Sequence, residues 1–194
     1  MSYSEVREKM KTGDVIAFSG KGHFSEVIKW KTSSEISHVG IVAATNMFGN
    51  DRVLLCESTT LTNIKDVIHK TITKGVQMHF LSQRLDAYDG EVFWYPLRDK
   101  LEKRYEKLAQ AWLSDKHASK TPYDMTQAMG AGLDFFDKMG LENEEDHSKL
   151  FCSELVTKVL QVVDEVGPHI NSSEMTPADV ISFSCLVEKP TKIS

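Results

Sequence analysis

The hydrophobic pattern of this chain changes period once, near residue 98, and that switch limits the folds open to it. Before it, strand-like apolar runs at 15–18, 36–44, 52–58, 76–80 and 92–95 recur between turn residues. After it, Leu101, Tyr105, Leu108, Trp112 and Leu113 return at helical spacing. They predict a helix over 99–116 whose Lys/Glu pairs form a solvated face. Leu155, Val156, Val159, Leu160 and Val163 predict a second helix over 150–166, closed by Gly167-Pro168. Shorter helical signals lie at 3–11, just after Ser25 and at 123–138, and a last strand is expected over 180–187. Thr176-Pro177-Ala178-Asp179 reads as a turn or a helix start. Strands early and helices late predict an α+β fold, with an antiparallel sheet packed on helices.

Composition sets the remaining bounds. At 194 residues and 41% apolar, the chain suits one domain spanning 1–194 with a single core. Its longest apolar run, 39–44, is far too short to span a bilayer. The first residues, MSYSEVREKMKTGD, show no apolar secretory region. Three cysteines, at 56, 152 and 185, make neither a disulfide framework nor a metal-binding spacing. A reducing, cytoplasmic location is therefore the expectation, with no metal or organic cofactor. A net charge of −5 argues against nucleic acid as partner.

That charge is concentrated. Asp134, Asp137, Glu142, Glu144, Glu145 and Asp146 stand against Lys138 alone, so the rest of the chain is neutral by formal count. An acidic insertion over 134–147 is ordinarily a solvated loop. The sharper reading is a flap upstream of Cys152, whose field would favour an amine-bearing small molecule or peptide as substrate.

Three residues carry the candidate chemistry. Cys152 begins the second helix, where unpaired backbone N–H groups and the positive dipole end favour a thiolate and an oxyanion. The competing reading is a small core cysteine. His38 lies inside the apolar run Ile36-Ser37-His38-Val39-Gly40-Ile41-Val42, and Gly40 leaves room beside its ring. By itself it would read as a satisfied core histidine. Glu57 ends the apolar run 53–56, an expensive place for a carboxylate without a partner. A hairpin turning between Phe48 and Gly49 pairs positions whose numbers sum to 97, which places His38 and Glu57 diagonally on one face. Cys56 and Cys185 read as core strand residues, and His23 as a loop residue that could line a cleft. Zinc binding by Cys152, His38 and Glu57 lacks a second close-spaced ligand pair.

The segments Gly13-Asp14-Val15-Ile16, Ser37-His38-Val39-Gly40-Ile41-Val42, Glu57, Pro122-Tyr123-Asp124 and Cys152-Ser153-Glu154-Leu155-Val156 span nearly the whole chain in that order. They resemble the NlpC-type branch of papain-like cysteine amidases in circularly permuted order, similar to the YiiX/YaeF-like family. The resemblance implies a permuted papain-like fold and a cysteine hydrolase acting on an amide or ester. It also implies Cys152 as nucleophile, His38 as general base, Glu57 orienting His38, and Tyr123 near the thiol. Glu154 stands where the unpermuted family has Gly. Two alternatives share the scaffold: a lipid or fatty-acyl hydrolase or acyltransferase, and a non-catalytic binding module. Against the lipid reading, the chain lacks an Asn before the cysteine, a hydrophobic anchor and a basic amphipathic face.

Overall fold

The computed structural model describes residues 1–20, 34–45, 52–60, 63–122 and 151–194. Six strands form one sheet: β1 (Val15–Gly20), β2 (His38–Ala44), β3 (Leu54–Thr59), β4 (Gly75–Phe80), β5 (Gly90–Tyr95) and β6 (Thr191–Lys192). They lie in the order β4-β3-β2-β1-β5-β6, and every neighbouring pair is antiparallel. The helices among the described residues are α1 (Tyr3–Val6), α2 (Leu81–Asp86), α3 (Lys103–Ala118), α4 (Cys152–Val162) and α5 (Pro177–Ile181). The α+β class and the early-strand, late-helix order both appear.

The inner strands are apolar on both faces because both faces are covered. Val15, Ala17, Val39, Ile41 and Cys56 face one cluster with Leu113 of α3 and Leu155, Val156, Val159 and Leu160 of α4. Ile16, Phe18, Val42, Leu55 and Val92 face the other, with Val6, Met10 and Leu81. Alternate residues therefore enter different cores, as the two-residue period of a strand requires.

Gly13 and Asp14 set the start of β1. Gly13 has φ +96°, and a Cβ there would stand 2.7 Å from Leu97 Cδ1, so only glycine turns the chain at that point. The buried Asp14 carboxylate accepts from Lys11 N, Trp94 Nε1 and Leu97 N at 2.8–3.0 Å, which ties β1 to β5 and its exit. A second buried acid, Asp66, ties the β3–β4 connection to the end of α3. It accepts from the amides of Ile68, His69 and Met78 and from His117 Nε2 at 2.7–2.8 Å.

Three expectations need correction. The last strand over 180–187 is absent. Thr176 and Asp179 cap each other reciprocally and Pro177 occupies the first turn, so this stretch begins α5. Strand-like pairing there is limited to an isolated bridge between Leu97 and Leu186, and β6 forms later. Cys185 is accordingly half-buried outside any strand, whereas Cys56 is a fully buried strand residue as expected. Helix α4 closes earlier than Gly167. Asp164 adopts φ 61°, and Asp164 N and Glu165 N bond back to Gln161 O and Leu160 O at 3.1 and 2.9 Å. Aspartate tolerates this left-handed position, and the paired bonds form a Schellman closure. Helix α2 had no counterpart in the sequence pattern.

Candidate active site

His38 is the first residue of β2, and the β2–β3 register decides what it meets. Ile41 pairs with Cys56 and Val42 with Leu55, so the partner numbers sum to 97 as expected, until a bulge shifts Ala44 onto Leu54. This register puts His38 and Glu57 on one face. His38 Nε2 and Glu57 Oε2 are 2.7 Å apart. Gly40 follows His38 by two residues on the same face, and a Cβ there would stand 3.0–3.2 Å from Leu55 Cδ1, Cys56 O and Glu57 Cβ.

Cys152 arrives from the other face. As the first residue of α4 it sits in the turn whose backbone N–H groups have no carbonyl four residues back. The Leu155 N–H already bonds to Phe151 O at 2.9 Å, so the helix starts at the cysteine. The Cys152 sulfur lies beside His38, close enough to act on the charge of its imidazole. With Nε2 on Glu57, only Nδ1 is left to exchange a proton with the sulfur. Cys152 is buried, and the His38 side chain is 17% exposed, so solvent touches the pair from the imidazole side.

Electrostatics separate the groups. Burial opposes charge on His38, but the Cys152 sulfur and then Glu57 outweigh it and lift the imidazole to about 9. Burial likewise opposes ionisation of Glu57, yet Arg84, His38 and His79 hold its carboxyl well below the usual range. Burial pushes the Cys56 thiol far up and the Cys185 thiol up to about 11, so neither supplies a thiolate near neutrality.

Two neighbours of Glu57 were not anticipated from the sequence. Arg84 Nε lies 2.8 Å and His79 Nδ1 3.1 Å from Glu57 Oε1, all of them buried. His79 carried the signal that singled out His38, a histidine inside an apolar strand. Arg84 gave none, because its helix was not expected. Tyr123, His23 and the acidic stretch 134–147 lie outside the described residues.

No family model matches the chain, and no curated protein does. Among solved structures it is similar to the metalloprotein YiiX of Escherichia coli O157:H7, described as DUF1105. The identity is 15%, over 95% of this chain and 96% of that one, with a TM-score of 0.62. The chain thus has a YiiX-like fold. That neighbour is described as a metalloprotein. Here, among the described residues, no group of three or more His, Cys, Asp or Glu side chains is disposed to hold a metal ion. The nitrogens around Glu57 point at its carboxylate, not with it toward a common centre. No helix among the described residues is long and apolar enough to cross a membrane.

Proposed function

We propose that this protein is a cysteine hydrolase with a papain-like fold in permuted order, cleaving an amide or ester through a thioester. One observation carries the reading: His38 is bonded to a buried carboxylate and stands beside a cysteine at a helix N-terminus. Glu57 fixes the ring, His38 moves the proton and Cys152 supplies the nucleophile.

In the first half-reaction His38 takes the proton of the Cys152 thiol, Sγ attacks the carbonyl carbon and a C–S bond forms as the carbonyl π bond opens onto oxygen. Backbone N–H groups at the start of α4 stabilise the oxyanion. As the intermediate collapses, the carbonyl's bond to nitrogen or oxygen breaks and the His38 imidazolium gives its proton to the leaving group. In the second half, His38 takes a proton from water, the hydroxyl attacks the thioester, and Cys152 leaves with that proton. No external oxidant or reductant enters.

The order of elements supports the permutation, since the helix bearing Cys152 follows the strands bearing His38 and Glu57. The favoured substrates are peptides or amino-acid amides. The test is incubation with p-nitrophenyl acyl esters and amino-acid p-nitroanilides, with intact mass measured on the quenched protein. Wild type should turn over at least one class and show an acyl adduct on Cys152, and Cys152→Ala and His38→Ala should do neither. Equal rates in wild type and Cys152→Ala would remove the proposal.

A further inference from the structure

Glu57 uses its two oxygens differently. Oε2 meets His38 Nε2 at 2.7 Å, while Oε1 takes both Arg84 Nε at 2.8 Å and His79 Nδ1 at 3.1 Å. The terminal torsion of a glutamate is broad and nearly two-fold, so one bond to a histidine would not fix the carboxylate plane. Two further donors on the opposite oxygen do. The guanidinium is itself held, with its carbon 4.5 Å from the centre of the Phe18 ring and 4.8 Å from that of Tyr88. The Tyr88 ring stands edge-on to Phe18, whose own ring lies 5.4 Å from that of His38. A line of contacts therefore runs from α2 through Arg84 to the imidazole.

The charge balance agrees. Glu57 is completely buried, and a carboxylate in that setting takes up a proton unless a cation compensates it. The groups facing it are His38 from β2, His79 from β4 and Arg84 from α2, with Cys152 of α4 beyond His38. Of these only the guanidinium is charged at every working pH.

We infer that Arg84 is a positioning residue of this site, holding Glu57 ionised and in one plane so that its second oxygen stays on His38. The inference rests on the cysteine-hydrolase reading. Without Arg84, Glu57 loses its permanent cation and one of the two donors that fix its plane, and His38 loses a firmly held anion beside it.

The readout is iodoacetamide alkylation of Cys152 in the full-length chain, followed by mass spectrometry of its peptide, with near-UV circular dichroism confirming the fold. Arg84→Gln should react several-fold more slowly than wild type near pH 6, because a His38 without a firmly held Glu57 carboxylate is a poorer acceptor of the thiol proton and the thiolate is the form that reacts. Near pH 10, where any thiol ionises, the two should agree within about twofold. A merely structural arginine would lower stability and leave the ratio of the two rates unchanged in the folded chain. Arg84→Lys keeps the buried charge and so protects folding, but it loses the planar fork. It should react several-fold slower than wild type near pH 6. Wild-type rates at both pH values in either folded variant would overturn the inference. An ordinary thiol profile in wild type itself would instead bring down the hydrolase reading, and this inference with it.

Discussion

Glu57→Gln keeps the shape of the side chain and removes its charge, which makes it the sharpest probe of the buried cluster. In the native site one carboxylate serves three donors, and Arg84 has no other carboxylate partner among the described residues. Its Nη1 is already buried without a hydrogen-bond partner. The substitution therefore strands a guanidinium in the core, a change that costs about 3–5 kcal/mol when one partner of a buried pair is lost. Against a net stability of about 5–15 kcal/mol, that is a large fraction. Urea unfolding would show it as a fall in midpoint of about 1–3 M at an unchanged slope. The second arm is Arg84→Met, singly and with Glu57→Gln. Removing both partners leaves no stranded charge, so the double variant should be more stable than the summed single losses by about 2 kcal/mol or more. The acid limb gives an independent check. Glu57 is depressed in the folded chain, so its stabilisation is present above the ordinary carboxylate range and is lost as pH falls through the folded value. Glu57→Gln should flatten that limb. Single losses below about 1 kcal/mol, or losses that simply add, would refute the claim that the pair is coupled and fully desolvated.

Three further outcomes follow from named contacts. The His38 imidazole should titrate near 9 by NMR and fall by about one unit or more in Cys152→Ala, because the sulfur is the largest influence raising it. Because that pKa is raised, its stabilisation is complete below about 6.5 and disappears as pH climbs through 9. Chemical denaturation at several pH values should show this decline in wild type and much less of it in Cys152→Ala. Asp66 is depressed mainly by His117 and the Met78 and His69 amides, against the pull of burial. Asp66→Asn should thus be less stable than wild type at neutrality, with the gap narrowing as pH falls below the carboxylate range. Gly40→Ala forces a methyl to within 3.0–3.2 Å of Leu55, Cys56 and Glu57. It should cost about 1–3 kcal/mol in urea unfolding and slow Cys152 alkylation near neutral pH.

Much of the frame was legible because it depends on local pattern. Alternating or continuous apolar runs marked β1 to β5, and helical spacing marked α3 and α4, to within a few residues. The hairpin register was legible too, because a one-residue slip would have sent Glu57 to the opposite face. The misreadings have local causes of another kind. At Val180 a capping box and a proline overrode an apolar run that looked like a strand. At Asp164 an aspartate took the left-handed closing position that glycine usually holds. Helix α2 has only six residues, too few for periodicity to declare.

The amino-acid sequence by itself determined the α+β class, the cysteine at a helix start, and the His38–Glu57 pair. Each is written in the spacing of neighbouring residues or in the number of residues around one turn. Only the tertiary structure decided that Cys152, whose helix packs on one face of the sheet, reaches a histidine aligned with the other face. It alone decided that Arg84 and His79 close around Glu57. Those contacts join residues far apart in the chain. They depend on where β2 ends, how α4 docks and which way α2 turns, and these are outcomes of packing two cores at once. No local pattern encodes them.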